Sequence, residues 1–214
     1  MPRTAPCYSS ENYYEFFNIS YKNKAVLDIG SSVGSFKKSG KFKESAETLK
    51  ESKEYISIDI DPNSGADIIA DAHELPFKDD CFDIIIANNV IEHFYDPTKA
   101  VSEMKRVLKK NGQLYFTIPF MHPVHEAPHD YSRLTRYGLE KLFNDFKSVE
   151  IYARGGVISA IANFEFIATK TLDVIKIGEL VRMMLYPVLL ISVQFDRFDK
   201  TEAFPRAYFG RMKK

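Results

Sequence analysis

Val26-Leu27-Asp28-Ile29-Gly30-Ser31-Ser32-Val33-Gly34 is the stretch on which the fold turns. With Ala25, its first half is a short apolar run, the kind buried on both faces of a parallel sheet. Its second half is turn chemistry. Gly30 can take backbone angles closed to other residues, and Gly34 lets a helix start approach a ligand with no Cβ in the way. A dinucleotide loop wants G-x-G-x-x-G, and Ser32 breaks that pattern at its second glycine. The spacing alone fits an ordinary strand-to-helix turn as well as a ligand loop.

Working outward, short β-rich runs alternate with helix-compatible stretches. Tyr55–Asp59 is a second strand, Asp67–Asp71 a third, Cys81–Ala87 a fourth and Gln113–Pro119 a fifth. Between the fourth and fifth, Pro97 opens a helix. Ala100, Met104, Val107 and Leu108 recur on one face of it until Asn111-Gly112 ends the run. A second helix is predicted from about Thr135 to Phe146, and Lys147–Ala153 is a sixth strand. The pattern is that of a parallel α/β sheet. Ser35–Glu54 reads as two short helices separated at Gly40. From Gly155 onward come about 45 strongly apolar, helix-compatible residues, then a short last strand near Ala207 to Arg211.

In an open parallel sheet, ligands sit beyond the carboxyl ends of the strands, where the winding direction changes. Three further features fall there. Asp59 ends the second strand about 25 residues after Gly34, where a carboxylate can accept two hydrogen bonds from a ribose diol. Asp71 ends the third strand, where it can take an adenine amino proton. Asn88 follows the fourth, at the head of Asn88-Asn89-Val90-Ile91-Glu92-His93.

The four features in this order resemble the class I S-adenosylmethionine-dependent methyltransferases. The resemblance runs from about Lys24 to Pro119. It includes Ala70-Asp71-Ala72-His73-Glu74-Leu75-Pro76-Phe77 with Phe82-Asp83, and Arg106-Val107-Leu108-Lys109-Lys110-Asn111-Gly112-Gln113-Leu114, similar to the family's R-V-L-K-x-G-G-x-L run. Ser32 and Asn111 stand where the family usually has glycine. The resemblance implies a Rossmann-like α/β sheet, mostly parallel with an antiparallel last strand, and S-adenosyl-L-methionine as cofactor. It places the methionine end over Asp28, Gly30, Ser32 and Gly34, the ribose on Asp59, the adenine by Ile60, Asp71 and Ala72, and the sulfonium near Asn88. One domain is expected, with a core of about 24–154, a helical insertion of about 155–206 and a last strand of about 207–212.

Methyl transfer is an in-line displacement, and an acceptor hydroxyl also needs a base. Histidine suits neutral pH. His93 follows the strand-four motif, and three of the five histidines, His122, His125 and His129, fall in eight positions after strand five. His93, His125, His129 and Asp130 are therefore the candidate catalytic groups. The bland alternative is structural: Asp130 or Thr135 capping the next helix and Arg133 pairing with a carboxylate. The H-D-Y-x-R-x-T run, His129 to Thr135, resembles one found in methyltransferases of glycan and surface-polysaccharide pathways, which points to O-methylation of a sugar or glycan precursor. No metal is expected, because prolines separate His122, His125 and His129 and no thiolate joins them. The alternatives kept beside this reading are a cofactor-binding regulatory or scaffold protein without turnover, and a nicotinamide-dependent oxidoreductase, which Ser32 disfavours.

The 214 residues carry 29 basic and 29 acidic side chains, 45% hydrophobic and 14% aromatic content. That balance excludes disorder, and it lacks the basic footprint of a nucleic-acid binder. Cys7 and Cys81 are too few for a disulfide framework and fit a reducing, cytoplasmic setting. No signal peptide is expected, and the uncharged run Met183–Phe195 is short of the ~18 residues of a spanning helix. Phe164, Phe166, Ile167, Ile175, Leu180, Met184, Leu185, Leu189 and Phe195 leave three uses of the insertion open: a lid, a homodimer surface, or a peripheral membrane contact.

Overall fold

The computed structural model describes residues 16, 19–31, 47–171, 181, 184, 191, 193–199, 201 and 203–214. Ser32, Gly34, most of the Ser35–Glu54 stretch, and Ile175, Leu180, Leu185 and Leu189 of the insertion lie outside the described residues.

Five consecutive buried residues make β1 (Ala25–Ile29), because both its edges and both its faces are covered. It pairs in parallel with β2 (Glu54–Asp59) on one side and β4 (Phe82–Asn88) on the other, Leu27 lying opposite Ile56 and Ile85. The sheet has the order β3-β2-β1-β4-β5-β7-β6, with β3 (Ile68–Ile69), β5 (Leu108–Pro119), β6 (Ser148–Arg154) and β7 (Ala207–Lys213). β7 is antiparallel to both its neighbours. The chain steps outward from β1 to β3 and then returns to β1's other side, so the switch point lies between the ends of β1 and β4.

Alternation along the strands divides the core in two. Leu27, Ile29, Ile85, Ala87 and Phe116 face α1 (Pro97–Val107) and α2 (Arg136–Leu142). Val26, Ile84, Ile86, Tyr115 and Phe209 form the other layer with Tyr21 and Leu49. In α1, Pro97 takes the first helical position, Asp96 caps the Lys99 amide at 3.0 Å, and Ala100, Val101, Met104 and Val107 are buried. Thr135 caps α2 through the Gly138 amide at 3.2 Å, as the structural alternative for this loop anticipates.

Three boundaries differ from the sequence expectation. β3 shrinks to two residues because the flanking carboxylates turn away from the ladder: Asp67 Oδ2 accepts from Ser57 N and Oγ, and Asp71 Oδ1 from His73. α1 ends at Val107 rather than at Asn111. The amides of Asp80 and Cys81 bind the carbonyls of Arg106 and Val107, and Leu108 already pairs with Phe82. Residues 109–112 then bulge, Asn111 taking φ +62°, before Gln113 resumes the ladder opposite Ile84. α2 ends at Leu142, not Phe146, where the Phe143 amide closes the last turn on the Leu139 carbonyl.

Beyond β6, α3 (Val157–Thr171) begins with amides held by carboxylates some 40 residues later. Asp196 accepts from Gly156, Ile158 and Ser159, and Asp199 from Val157. A 3-10 helix at Val193–Phe198 supplies Asp196. Phe164, Met184 and Phe195 of the apolar set are exposed. Among the described residues no helix is long and apolar enough to cross a membrane.

Candidate active site

The carboxyl ends of β1, β2 and β4 bring Gly30, Asp59, Ile60 and Asn88 to one edge, while Ser32 and Gly34 lie outside the described residues. Gly30 leaves β1 at φ +74°, and a Cβ there would lie 2.5 Å from Val90 Cγ2. Its amide and that of Ser31 bind the Ile58 carbonyl at 2.9 and 3.1 Å, which ties the loop to β2. Asp59 ends β2. Its Oδ1 accepts from the Asp61 amide at 2.9 Å, and its Oδ2 has no hydrogen bond among the described residues. Ile60, next to it, is 67% exposed. A carboxylate oxygen beside an exposed aliphatic side chain suits a ribose diol and the face of a purine.

Asp71 is more engaged than the sequence implies. Its Oδ1 accepts from His73 N at 2.9 Å and Nδ1 at 2.5 Å, leaving Oδ2 with only a 3.5 Å contact from the Tyr95 hydroxyl. Burial raises the Asp71 carboxyl, but the His73 hydrogen bonds outweigh it and hold the group below its usual range. His73 is buried, stacks on Tyr95 at 3.8 Å, and accepts from the Asp96 amide at Nε2. Ala72 is buried beside it. Asn88 Oδ1 lies 2.6 Å from the Thr117 hydroxyl, which fixes the end of β4 against β5.

Asp28 sits a layer deeper, buried in β1, where its Oδ2 accepts from the Tyr55 hydroxyl at 2.5 Å. Burial pushes its pKa up to about 7. The folded state therefore favours the protonated acid. The stability this gives is complete below the unfolded carboxyl pKa of ~3.9 and is lost as pH rises through about 7. Asp28→Asn is expected to flatten that loss and to raise stability at pH 8 by at most about 4 kcal/mol, at 1.36 kcal/mol per pKa unit, with a higher melting temperature to match. Calorimetric melts of both proteins at pH 5 and pH 8 check it; parallel pH profiles would count against the assignment.

Of the four catalytic candidates, the His93 and His125 rings meet, Asp130 is held beneath them by Arg133, and the His129 ring faces outward. His93 lies on a short 3-10 turn after β4, Ile91–His93, with Nδ1 2.7 Å from the His129 carbonyl. His125 packs edge-on against it, ring centroids 4.8 Å apart. Asp130 has a side chain only 1% exposed and grips Arg133 through two hydrogen bonds of 2.5 and 2.6 Å. Those bonds hold its carboxyl well below the usual range. Asp130 Oδ2 also accepts from the His125 amide at 3.0 Å, so this carboxylate organises the loop from within. The His129 ring is exposed, with Nδ1 2.8 Å from the Tyr131 hydroxyl. His122 has Nδ1 3.0 Å from the Pro123 carbonyl and packs edge-on against the His125 ring, centroids 5.0 Å apart.

Sequence reasoning gave Glu92 no role. The carboxylate is fully buried between His93 and His125, and neither oxygen has a hydrogen bond among the described residues. Burial pushes its pKa up to about 8. A carboxylate directly before a histidine at the end of a strand was the available signal; its burial comes from the 122–131 loop folding over it, with the Tyr131 amide bound to the Glu92 carbonyl. A cavity of about 450 Å³ lined by Ile19, Lys24, Asp83, Lys110 and Tyr115 opens at the other ends of these strands and contains none of these residues.

A methyltransferase-domain family model matches residues 27–116. An uncharacterized protein of Methanocaldococcus jannaschii is 37% identical over 97 residues, 43% of each chain. An uncharacterized methyltransferase of Bacillus subtilis is 46% identical over 59 residues, 28% of this chain and 21% of that one. The chain thus spans less than half the length of these curated relatives. Among solved structures, phosphoethanolamine N-methyltransferase 2 of Haemonchus contortus in complex with S-adenosyl-L-methionine superposes with a TM-score of 0.58 at 16% identity. The match covers 95% of this chain and 52% of that one, and at this identity it speaks for the fold.

Proposed function

We propose that residues 27–116, which match a methyltransferase-domain family model, form a class I S-adenosylmethionine-dependent methyltransferase domain, and that this chain methylates a small molecule at an oxygen of a sugar or glycan precursor. The observation that carries the reading is the meeting, at one sheet edge, of a glycine-turned loop, an accepting carboxylate with an exposed aliphatic neighbour, and a polar histidine wall. The first two fit the cofactor. S-adenosylmethionine supplies an electrophilic methyl group when bound, and leaves as a neutral thioether.

Asp59 accepts from the ribose diol, Ile60 covers one face of the adenine, and Asp71 Oδ2 and Ala72 meet its polar edge. Asn88 stands near the sulfonium, its amide set by Thr117. Asp28 supports this loop from beneath through Tyr55. Asp130, spent on Arg133, positions rather than reacts. His93 and His125 face the acceptor, and His129, whose exposed ring stands outside the Glu92 cluster, takes the hydroxyl proton as the new carbon–oxygen bond forms. The polar wall of imidazoles suits a hydroxylated acceptor better than an apolar one.

Calorimetry with S-adenosylhomocysteine is the direct test. Saturable binding is expected, and none at millimolar ligand would sink the reading. Asp59→Ala should weaken that binding about 10- to 100-fold, the ~1.5–3 kcal/mol of hydrogen bonds to a charged group; unchanged affinity would remove Asp59 from the ribose. Transfer of labelled methyl from S-adenosylmethionine to nucleotide sugars and glycan precursors tests the acceptor class.

A further inference from the structure

A fully buried carboxylate with no hydrogen bond on either oxygen is rare, because the lost hydration goes uncompensated. Among the described residues Glu92 is in that state, and what it faces is specific. Oε1 is 3.8 Å from His93 Nε2 and 3.7 Å from His125 Nε2, and the three ligand atoms lie within 4.8 Å of one another. A tetrahedral cation with bonds of about 2.1 Å has ligand edges of about 3.4 Å, so a small inward movement of each group closes the set.

The rings are also presented as ligands are. His93 donates Nδ1–H to the His129 carbonyl at 2.7 Å, which leaves the Nε2 lone pair aimed inward. His125 turns Nδ1 to Asp130 Oδ2 at 3.3 Å, a charge contact rather than an aligned hydrogen bond, and likewise points Nε2 at Glu92. Arg133 locks Asp130. The exposed Glu126 carboxylate stands 3.8 Å from His93 Nε2, outside this set of three. Two imidazoles and one carboxylate select a divalent first-row transition ion over magnesium or calcium, which prefer all-oxygen shells.

We infer that Glu92, His93 and His125 bind a divalent first-row transition metal ion at the carboxyl end of β4. This set differs from His122, His125 and His129, which the sequence raises and the prolines disfavour. The binding claim stands without any catalytic reading. The ion's use rests on the methyltransferase proposal: it holds the acceptor oxygen and lowers its pKa, so that its proton passes to His129 while the oxygen takes the methyl group.

The full chain, stripped with a chelator and titrated with Co²⁺, should bind one equivalent and develop saturable visible absorption. Glu92→Gln and His125→Ala should each weaken Co²⁺ by at least about tenfold, whereas His122→Ala should leave it within about twofold. Co²⁺ should raise the melting temperature of the parent and not that of Glu92→Gln, whose metal-free fold is checked by the same melt. Absence of saturable binding at millimolar Co²⁺, or an equal loss in His122→Ala, overturns the site and leaves a proton-sharing His-Glu-His cluster. S-adenosylhomocysteine calorimetry on the metal-free chain separates the two claims: Co²⁺ binding without it would end the methyltransferase reading and keep the metal site.

Discussion

Gly30→Ala is expected to abolish measurable S-adenosylhomocysteine binding and to lower the melting temperature by about 10 °C. Two penalties act together. The backbone at φ +74° costs a side chain about 1–3 kcal/mol, and the new Cβ would stand 2.5 and 2.8 Å from Val90 Cγ2 and Cβ, an overpacking of about 1–3 kcal/mol. In a chain of this size each kcal/mol shifts the midpoint by roughly 2–4 °C. Val90 leads directly into the turn that carries Glu92 and His93, so the clash pushes two loops apart at once. Adding Val90→Ala should restore part of the stability, because it removes the contact and leaves the backbone cost. A single variant that melts and binds like the parent would show that the loop after β1 tolerates a side chain, against the geometry described.

The second large effect is expected from Arg133→Leu. Asp130 has its side chain 1% exposed, and the guanidinium supplies both of its strong partners while also binding the carbonyls of Pro123 and Ser132. Removing the cation leaves a buried carboxylate without its guanidinium countercharge and, among the described residues, with only the His125 amide as hydrogen-bond partner, a loss of about 3–5 kcal/mol. The damage should be local. The amides of His125, bound to Asp130, and Tyr131, bound to the Glu92 carbonyl, should exchange hydrogen about 100-fold faster or more, while amides of β1, β4 and α1 keep their protection. Asp130→Asn in the same background removes the stranded charge and should recover much of the protection. Uniform loosening of the whole chain would instead mean that this pair holds the fold and not the loop.

These two sites also show what the chain discloses before it is folded. The strands were legible because β1, β4 and β5 are apolar runs bounded by turn residues, and their order made Asp59 and Asn88 fall at one edge. The Thr135 cap and the Arg133 pairing were legible as local chemistry three residues apart or fewer. What stayed hidden was made by contacts distant in sequence. Asp71 reads as an open acceptor, yet His73 doubles back on one of its oxygens. Glu92 draws no reading from the sequence, and a loop some 30 residues later seals it in. Burial of a charged side chain has no local periodicity, so no window of sequence announces it.

The position of β7 between β5 and β6 has a consequence for synthesis. β6 is complete by residue 154, but among the described residues its only sheet neighbour is 207–213. At ~5–20 residues per second the ribosome needs about 3–10 s to deliver the intervening chain. During that interval β5 presents an open edge, and β6 has nothing to pair with. The nascent protein therefore passes through a five-stranded stage with an unprotected rim, and aggregation should compete with folding most strongly there.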